Sequence, residues 1–391
     1  MRLEHPLLML CLAQLCESLG MNLVNPMMPL YAYSLNMSYT MVGVVMSSFG
    51  ITRLFIEVPG GLLTDKLGRK RVLLLGYVLS VTAHLVAGLA QAPIELVLSR
   101  MVLGIGSALS LTASMTHVIE IAPDAKRSRY IAIFQSTNSI SGIVGPTLGG
   151  LISEGFGLRA IFLVSAIIST MGILLALRMK RPEEASERDA PSQSGIKLQE
   201  IFDVKIIVIS ISCFMMFFLF TSIRSTMIPL YGSNELGLSA LQIGLVFSVT
   251  SAIIVCCLLL VNVKLEQALR QASLLTLSLL ICASSVVLLS FSVDFTTLLV
   301  FSIPLGFGLS LLQPTPFAMI SDYAKPENRG VTLGLARTIA DVGIILGSTL
   351  VGWLIDVGQP LLVFYLIAAV LALFSAVTWY VFRDQHVPTN A

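Results

Sequence analysis

Gly60-Gly61-Leu62-Leu63-Thr64-Asp65-Lys66-Leu67-Gly68-Arg69-Lys70-Arg71 lies between two apolar runs, near 40–63 and 72–90. Each flanking run is long enough to cross a bilayer as a helix, which takes about 20 residues. The turn between them holds one acid (Asp65), four bases (Lys66, Arg69, Lys70, Arg71) and the turn glycines Gly61 and Gly68. Short loops rich in Lys and Arg stay on the cytoplasmic side, so this turn sets the orientation. It also places one carboxylate among fixed positive charges at a helix end, where it can act as a latch.

The rest of the chain repeats the pattern. Of 391 residues, 55% are hydrophobic and 12% charged, with mean hydropathy +0.89. Soluble domains carry about 25% charged residues, so this is a polytopic membrane protein. The runs are too long for the alternating strands of a barrel. Twelve spans are expected, near 6–33, 40–63, 72–91, 94–119, 129–152, 159–178, 204–231, 240–262, 271–292, 295–320, 330–354 and 361–382. With the N-terminus inside, 19 of the 24 Lys and Arg residues fall on the cytoplasmic side and only Arg159 falls outside. The expected location is an integral, multi-pass protein of a prokaryotic-type inner or plasma membrane, with both termini cytoplasmic.

The polar stretch KRPEEASERDAPSQSG divides the chain. Residues 1–178 are read as an N-terminal six-helix bundle, 179–203 as a cytoplasmic linker, and 204–391 as a C-terminal six-helix bundle with a short tail. Ile196 to Phe202 has the pattern of a short interfacial helix. The halves repeat each other. Met27-Met28-Pro29-Leu30-Tyr31 returns 200 residues later as Met227-Ile228-Pro229-Leu230-Tyr231. Gly145-Pro146-Thr147-Leu148-Gly149-Gly150 returns 202 later as Gly347-Ser348-Thr349-Leu350-Val351-Gly352, and Glu120/Asp322 and Arg127/Arg329 keep that offset. Two pseudo-symmetric six-helix bundles around a midplane site is the arrangement such a parallel repeat builds.

Over nearly its whole length the chain resembles the major facilitator superfamily. The likeness rests on G-x-x-x-D-K-x-G-R-K at Gly61 to Lys70, L-x-R-x-x-x-G-x-G at Leu98 to Gly106, and G-P-x-x-G-G at Gly145 to Gly150. The last resembles the signature of twelve-helix drug and metabolite:proton antiporters, with Ser141 where that signature begins in glycine. The second copy of the loop motif, Val261 to Arg270, is degraded, with neither the glycines nor an acid in register. The resemblance implies an all-α membrane fold and proton-coupled export of a small organic molecule by alternating access. It makes Gly61, Asp65, Gly68, Arg69 and Lys70 a cytoplasmic gate closing on span 11. It makes Arg100 a proton-coupling residue. Gly145, Pro146, Gly149 and Gly150 become an antiporter-type seam.

Charges inside spans need a reason, because each costs about 2.5–3.5 kcal/mol to insert. Helical rise puts Glu17 about 16 Å and Arg53 about 18 Å from the inner face, close to one level. Glu57 is one turn from Arg53. These three are expected to form a buried charge network, either coupling proton uptake to transport or statically orienting the bundle. Arg337 and Asp341, one turn apart in span 11, either neutralise each other or split, with Arg337 facing an anionic group and Asp341 titrating. Asn22, Asn25, Gln135, Asn138 and Arg224 are candidate cavity-lining groups beside Arg337. His84 and His117 are read as satisfied core or rim histidines.

Other classes fare worse. No nucleophile–base pair, Walker motif or metal-ligand spacing occurs, and no cofactor or metal is expected; the six cysteines all fall inside apolar runs, with no CxxC among them. No basic patch interleaves with aromatics, so no nucleic acid is expected. The partners are a small-molecule substrate, protons and the lipid bilayer, and a monomer is the expected functional unit. An importer or facilitator of an organic anion is the alternative within transport. A non-transporting receptor would need an output domain larger than a linker of about 25 residues.

Overall fold

Where prolines and glycines fall decides how the apolar runs break. In the computed structural model, described for residues 5–179, 203–324 and 328–383, all regular structure among these residues is helical. The expected interfacial helix, most of the linker and the C-terminal tail lie outside the described residues. Span 1 comprises His5–Val24 and Met28–Ser34, interrupted just ahead of Pro29, whose ring removes a backbone donor. The corresponding Pro229 in span 7 has a different consequence. Val204–Leu219 there passes into a π-helical segment, Phe220–Met227, before Ile228–Asn234 resumes the α-helix.

Span 2 (Tyr39–Leu67) and span 3 (Arg69–Leu89) are joined by Gly68 alone, at φ +84°, a conformation that glycine adopts without strain. Span 4 is Pro93–Ile121, span 5 Arg127–Phe156 and span 6 Leu158–Leu177. In the second half, span 8 is Ala240–Leu260, span 9 Gln271–Leu289 and span 10 Phe295–Leu312 with Thr315–Tyr323. Span 11 is Arg329–Val357 and span 12 Pro360–Phe382. The degraded copy of the loop motif forms a short helix, Asn262–Ala268.

Among the described residues, eleven helices are long and apolar enough to cross a membrane. The remaining long one is span 5, 30 residues in length, which Gln135, Ser136, Asn138 and Ser139 make more polar. It packs centrally, against span 1 on one side and span 8 on the other. Within the first half, span 1 also packs on span 6, span 4 on spans 2 and 3, and span 3 on span 6. The second half repeats these pairings: span 7 packs on span 11, span 10 on spans 8 and 9, and span 9 on span 12. Apolar side chains such as Ile167, Leu174 and Leu373 project from the outer spans, an exterior suited to hydrocarbon.

The halves meet along two matching seams, span 2 on span 11 and span 5 on span 8. They close at the face remote from the basic turn, here called the far face. Thr349 donates a hydrogen bond to Ser47 (2.9 Å), and Thr147 donates one to Ser248 (2.7 Å). A Cβ on Gly150 would lie 2.6 Å from Leu241 Cα, and one on Gly352 3.0 Å from Thr40 Cα. Such contacts need glycine, because any side chain would hold the backbones apart. Asp356 accepts from the first amides of span 2, and Glu154 from Leu241 N of span 8 (3.3 Å). Each of these residues has its counterpart 201 or 202 positions away, so the two seams are copies of one another. Toward the basic face the helices diverge: nothing lies within 4 Å of where a Cβ would stand on Gly61 or Gly334.

Candidate functional site

Between the diverging halves lies a cavity of about 410 Å³. Span 1 supplies one wall through Gln14, Glu17, Ser18, Met21 and Asn22, which recur every three or four residues along one helix face. This wall is tied to its neighbours by amides and hydroxyls. Gln14 Nε2 donates to Ser18 Oγ (3.1 Å) and Asn138 Oδ1 (3.4 Å), and Ser18 Oγ also donates to Asn138 Oδ1. Asn22 Nδ2 donates to Ser18 O (2.8 Å) and Ser141 Oγ (3.2 Å). On the hidden side, Gln14 Oε1 accepts from Tyr77 OH (3.3 Å) and Ser114 Oγ (3.4 Å). The sequence reading singled out Asn22 and Asn138 but missed Gln14 and Ser18, which the same helical spacing could have found.

Glu17 is buried and lines this cavity. It faces the hydroxyls of Ser80 and Ser169, Oε2 has no hydrogen-bond partner, and no ion pair forms with any described residue. The expected Glu17–Arg53–Glu57 network therefore does not form. Depth along a helix sets the level of a residue but not its direction. Span 1 packs against spans 5 and 6, while span 2 packs against spans 4 and 11.

Arg53 also lines the cavity, but its partner is Glu57, at 4.0 Å. Glu57 is in turn 4.0 Å from Arg337, across the divide between halves. Asp341, buried with Oδ2 unpaired, sits against Glu57 within electrostatic reach of Arg53 and Arg337. The Arg337–Asp341 couple thus opens into a four-membered cluster in which two positive and two negative groups balance. Arg337 is exposed at its rim and outside the cavity lining.

Arg224 contributes the charge of the second half. It is buried, lines the cavity, and lies in the π-helical segment. Its guanidinium sits 4.9 Å from the Phe220 ring centroid and 5.0 Å from that of Phe247. Nη2 donates to Ser251 Oγ (2.5 Å) and Phe247 O (3.3 Å).

Several expected residues stand elsewhere. Asn25 lies at the break of span 1, and Gln135 is exposed on span 5; neither lines the cavity. Arg100 is buried over the Phe49 ring at 5.1 Å, with Nε and Nη1 unpaired, and is also outside the lining. Glu95 does not anchor it, because that carboxylate caps its own helix through Gln91 N (2.6 Å) and Ala92 N (3.1 Å). His84 is buried near Arg100 with both ring nitrogens unpaired, so it is not the satisfied core histidine expected. His117 is also buried, with Nδ1 unpaired.

The basic turn is held to its own half. Arg69 pairs with Glu120 of span 4, and Lys70 Nζ donates to Leu177 O (2.7 Å) and Met179 O (2.5 Å) at the end of span 6. Asp65 is exposed and contacts no described charged group, so the expected closure against span 11 is absent with the basic face open. The expected seam also divides. Gly145 and Gly149 press on Asn22 and Leu23 within the first half, and only Pro146 and Gly150 meet span 8.

Twelve spans among the described residues, in two like bundles around a polar, charged cavity, are the build of a membrane transporter, and comparison with known proteins agrees. The profile of the Major Facilitator Superfamily matches residues 10–266 and 258–391, and the chain belongs to that superfamily. It is 25% identical over 349 residues to "Multidrug resistance protein 2" of Bacillus subtilis (strain 168), covering 86% of each chain. It is 21% identical to "Quinolone resistance protein NorA" of Staphylococcus aureus (strain COL), covering 87% of each. Among solved structures, a bacterial homolog of the human lysosomal transporter Spinster, inward-facing and unoccupied, superposes with a TM-score of 0.79. That match is at 14% identity and covers 98% of both chains. The protein is an integral, multi-pass membrane transporter, of a family whose members carry small molecules across membranes rather than transform them.

Proposed function

We propose that the protein exports a small organic molecule in exchange for protons, by alternating access. The observation that carries this reading is Glu17: a buried carboxylate in the cavity wall, with no cation beside it, open to whichever face the halves expose. Such a group can take a proton from one side and yield it when substrate arrives or the halves rock. The positive-inside bias makes the basic face cytoplasmic and both termini internal, with residues 1–178 and 204–391 as the moving bundles and 179–203 as their linker. The cavity is then open to the cytoplasm, ready to load. The antiporter-type sequence at Gly145 to Gly150 and the relatives named for drug resistance support the outward direction.

Proteoliposomes carrying an internal pH dye test this. Addition of a quinolone, the class named in one relative, should release protons from the wild type under a gradient, and Glu17→Gln should bind without proton release. Unchanged proton flux in that variant would remove Glu17 from coupling. Uptake of an organic anion remains the second reading, favoured by Arg224 in the cavity. It predicts substrate moving with the proton rather than against it.

A further inference from the structure

Two charged groups of the cavity wall stand outside the four-membered cluster, Glu17 and, on the opposite half, Arg224. Arg53 and Arg337 are balanced by Glu57 and Asp341 in their cluster. Arg224 has no such balance. It is 8% exposed, and its interactions are Ser251 Oγ, Phe247 O and the two phenyl rings, with no carboxylate among the described residues in ion-pair range. Nε is buried without any partner.

A buried, uncompensated guanidinium is costly, because neutral oxygens and ring faces replace only part of its hydration. The surroundings do hold it rigidly. Phe220 and Phe247 engage the guanidinium, and Ser251 fixes one end of the fork. The π-helical turn that carries Arg224 is itself pinned to span 11, where Thr226 donates to Ser348 (3.1 Å) and Thr221 to Gly343 O (3.4 Å). Wide turns of this kind recur at functional sites because they re-aim side chains. With Nη2 taken up by Ser251 Oγ and Phe247 O and the rings alongside, the guanidinium is held in place with its charge unspent, and a carboxylate is the organic group that answers it with charge-assisted hydrogen bonds. Ile254, Val255, Met21 and Leu111 on the adjoining walls offer apolar surface for the body of the same molecule.

We infer that Arg224, bracketed by Phe220 and Phe247, is a carboxylate subsite, and that the transported molecules are amphiphilic organic acids bearing a flat or apolar body. The subsite rests on the transporter reading but not on the direction of transport or its coupling ion. A cavity of about 410 Å³ is far larger than an inorganic anion requires and falls within the ordinary range of organic-ligand pockets.

Binding to the purified full-length protein in nanodiscs tests this without any transport step. 2-Naphthoate, 2-naphthamide and sodium chloride are titrated against thermal unfolding. Naphthoate should raise the midpoint, with the amide about tenfold or more weaker and chloride without effect at equal ionic strength. Arg224→Gln should abolish the preference for acid over amide, and Phe247→Leu should weaken it while keeping the charge. Equal shifts by acid and amide in the wild type would overturn the subsite whether or not any variant folds. So would an undiminished acid preference in Arg224→Gln, or a chloride shift matching that of naphthoate. Naphthoate binding at Arg224 without proton-driven flux would leave the subsite standing and defeat the antiport reading instead.

Discussion

Asp356 at the end of span 11 closes on Thr40 at the start of span 2: its carboxylate accepts from Thr40 N (2.7 Å), Thr40 Oγ1 (2.5 Å) and Tyr39 N (3.1 Å). The first amides of a helix are otherwise unpaired and carry the positive end of its dipole, so an acid supplied by the opposite half caps both. Asp356→Asn removes the charge and half of the acceptor capacity. A cap is worth about 1 kcal/mol, so the far-face-open population should rise roughly fivefold. Spin labels at Ser34 and Glu235, in a cysteine-free background, would read this as growth of the longer distance. An unchanged distance distribution would show that the cap is incidental to closure.

Gly149 and Gly150 are neighbours with different jobs. Gly149 presses on Leu23 of its own half, whereas a Cβ on Gly150 would meet Leu241 of the other half. Gly149→Ala should therefore lower stability by about 1–3 kcal/mol, the usual cost of overpacking, in thermal melts. Gly150→Ala should leave the bundle intact and shift the same spin-label distances toward an open far face. The reverse assignment of effects would refute this division.

The Arg337–Glu57 contact is long at 4.0 Å, and the arginine side chain is 66% exposed. An ion pair of that kind contributes at most about 1 kcal/mol. Arg337→Ala should change transport rate by less than about fivefold, a far smaller effect than Glu17→Gln. A loss of transport as complete as that of the Glu17 variant would mean that the cluster takes a tighter form in another state.

Asp65 is exposed and has no charged partner among the described residues while the basic face is open. Asp65→Asn should leave the melting temperature of this state unaltered yet slow turnover, because any latch forms only after closure. Wild-type turnover in the variant would reduce the Gly60–Arg71 stretch to a topology signal.

The sequence carried the fold because its signals are collective. Span lengths, the bias of Lys and Arg, and the 200-residue repeat each sum over many residues, so no single misreading disturbs them. The site was legible only in part. Glu17, Asn22, Asn138, Arg53 and Arg224 do line the cavity, since polar groups in apolar helices have few other places to go. Their pairings were not legible. Counting residues from a membrane face gave Glu17 and Arg53 a common depth, but partner choice depends on which helices adjoin. For the same reason the spacing of Arg337 and Asp341 left open whether they neutralise each other or split, and gave no sign of Glu57 across the divide, which lies within reach of Arg337. Ser251, which holds Arg224, carries no sequence signal above the many other serines of the spans.

The doubled construction of the closed face has a consequence for how the protein's conformational balance can be tuned. Asp356 and Glu154 do the same work at opposite corners, as do the Ser47–Thr349 and Ser248–Thr147 pairs. Losing one member leaves its twin in place, and the twins share no neighbours, so their losses should simply add. The far-face closure is thus redundant and adjustable in small steps, whereas the basic turn, whose second copy keeps neither glycine, has no such reserve.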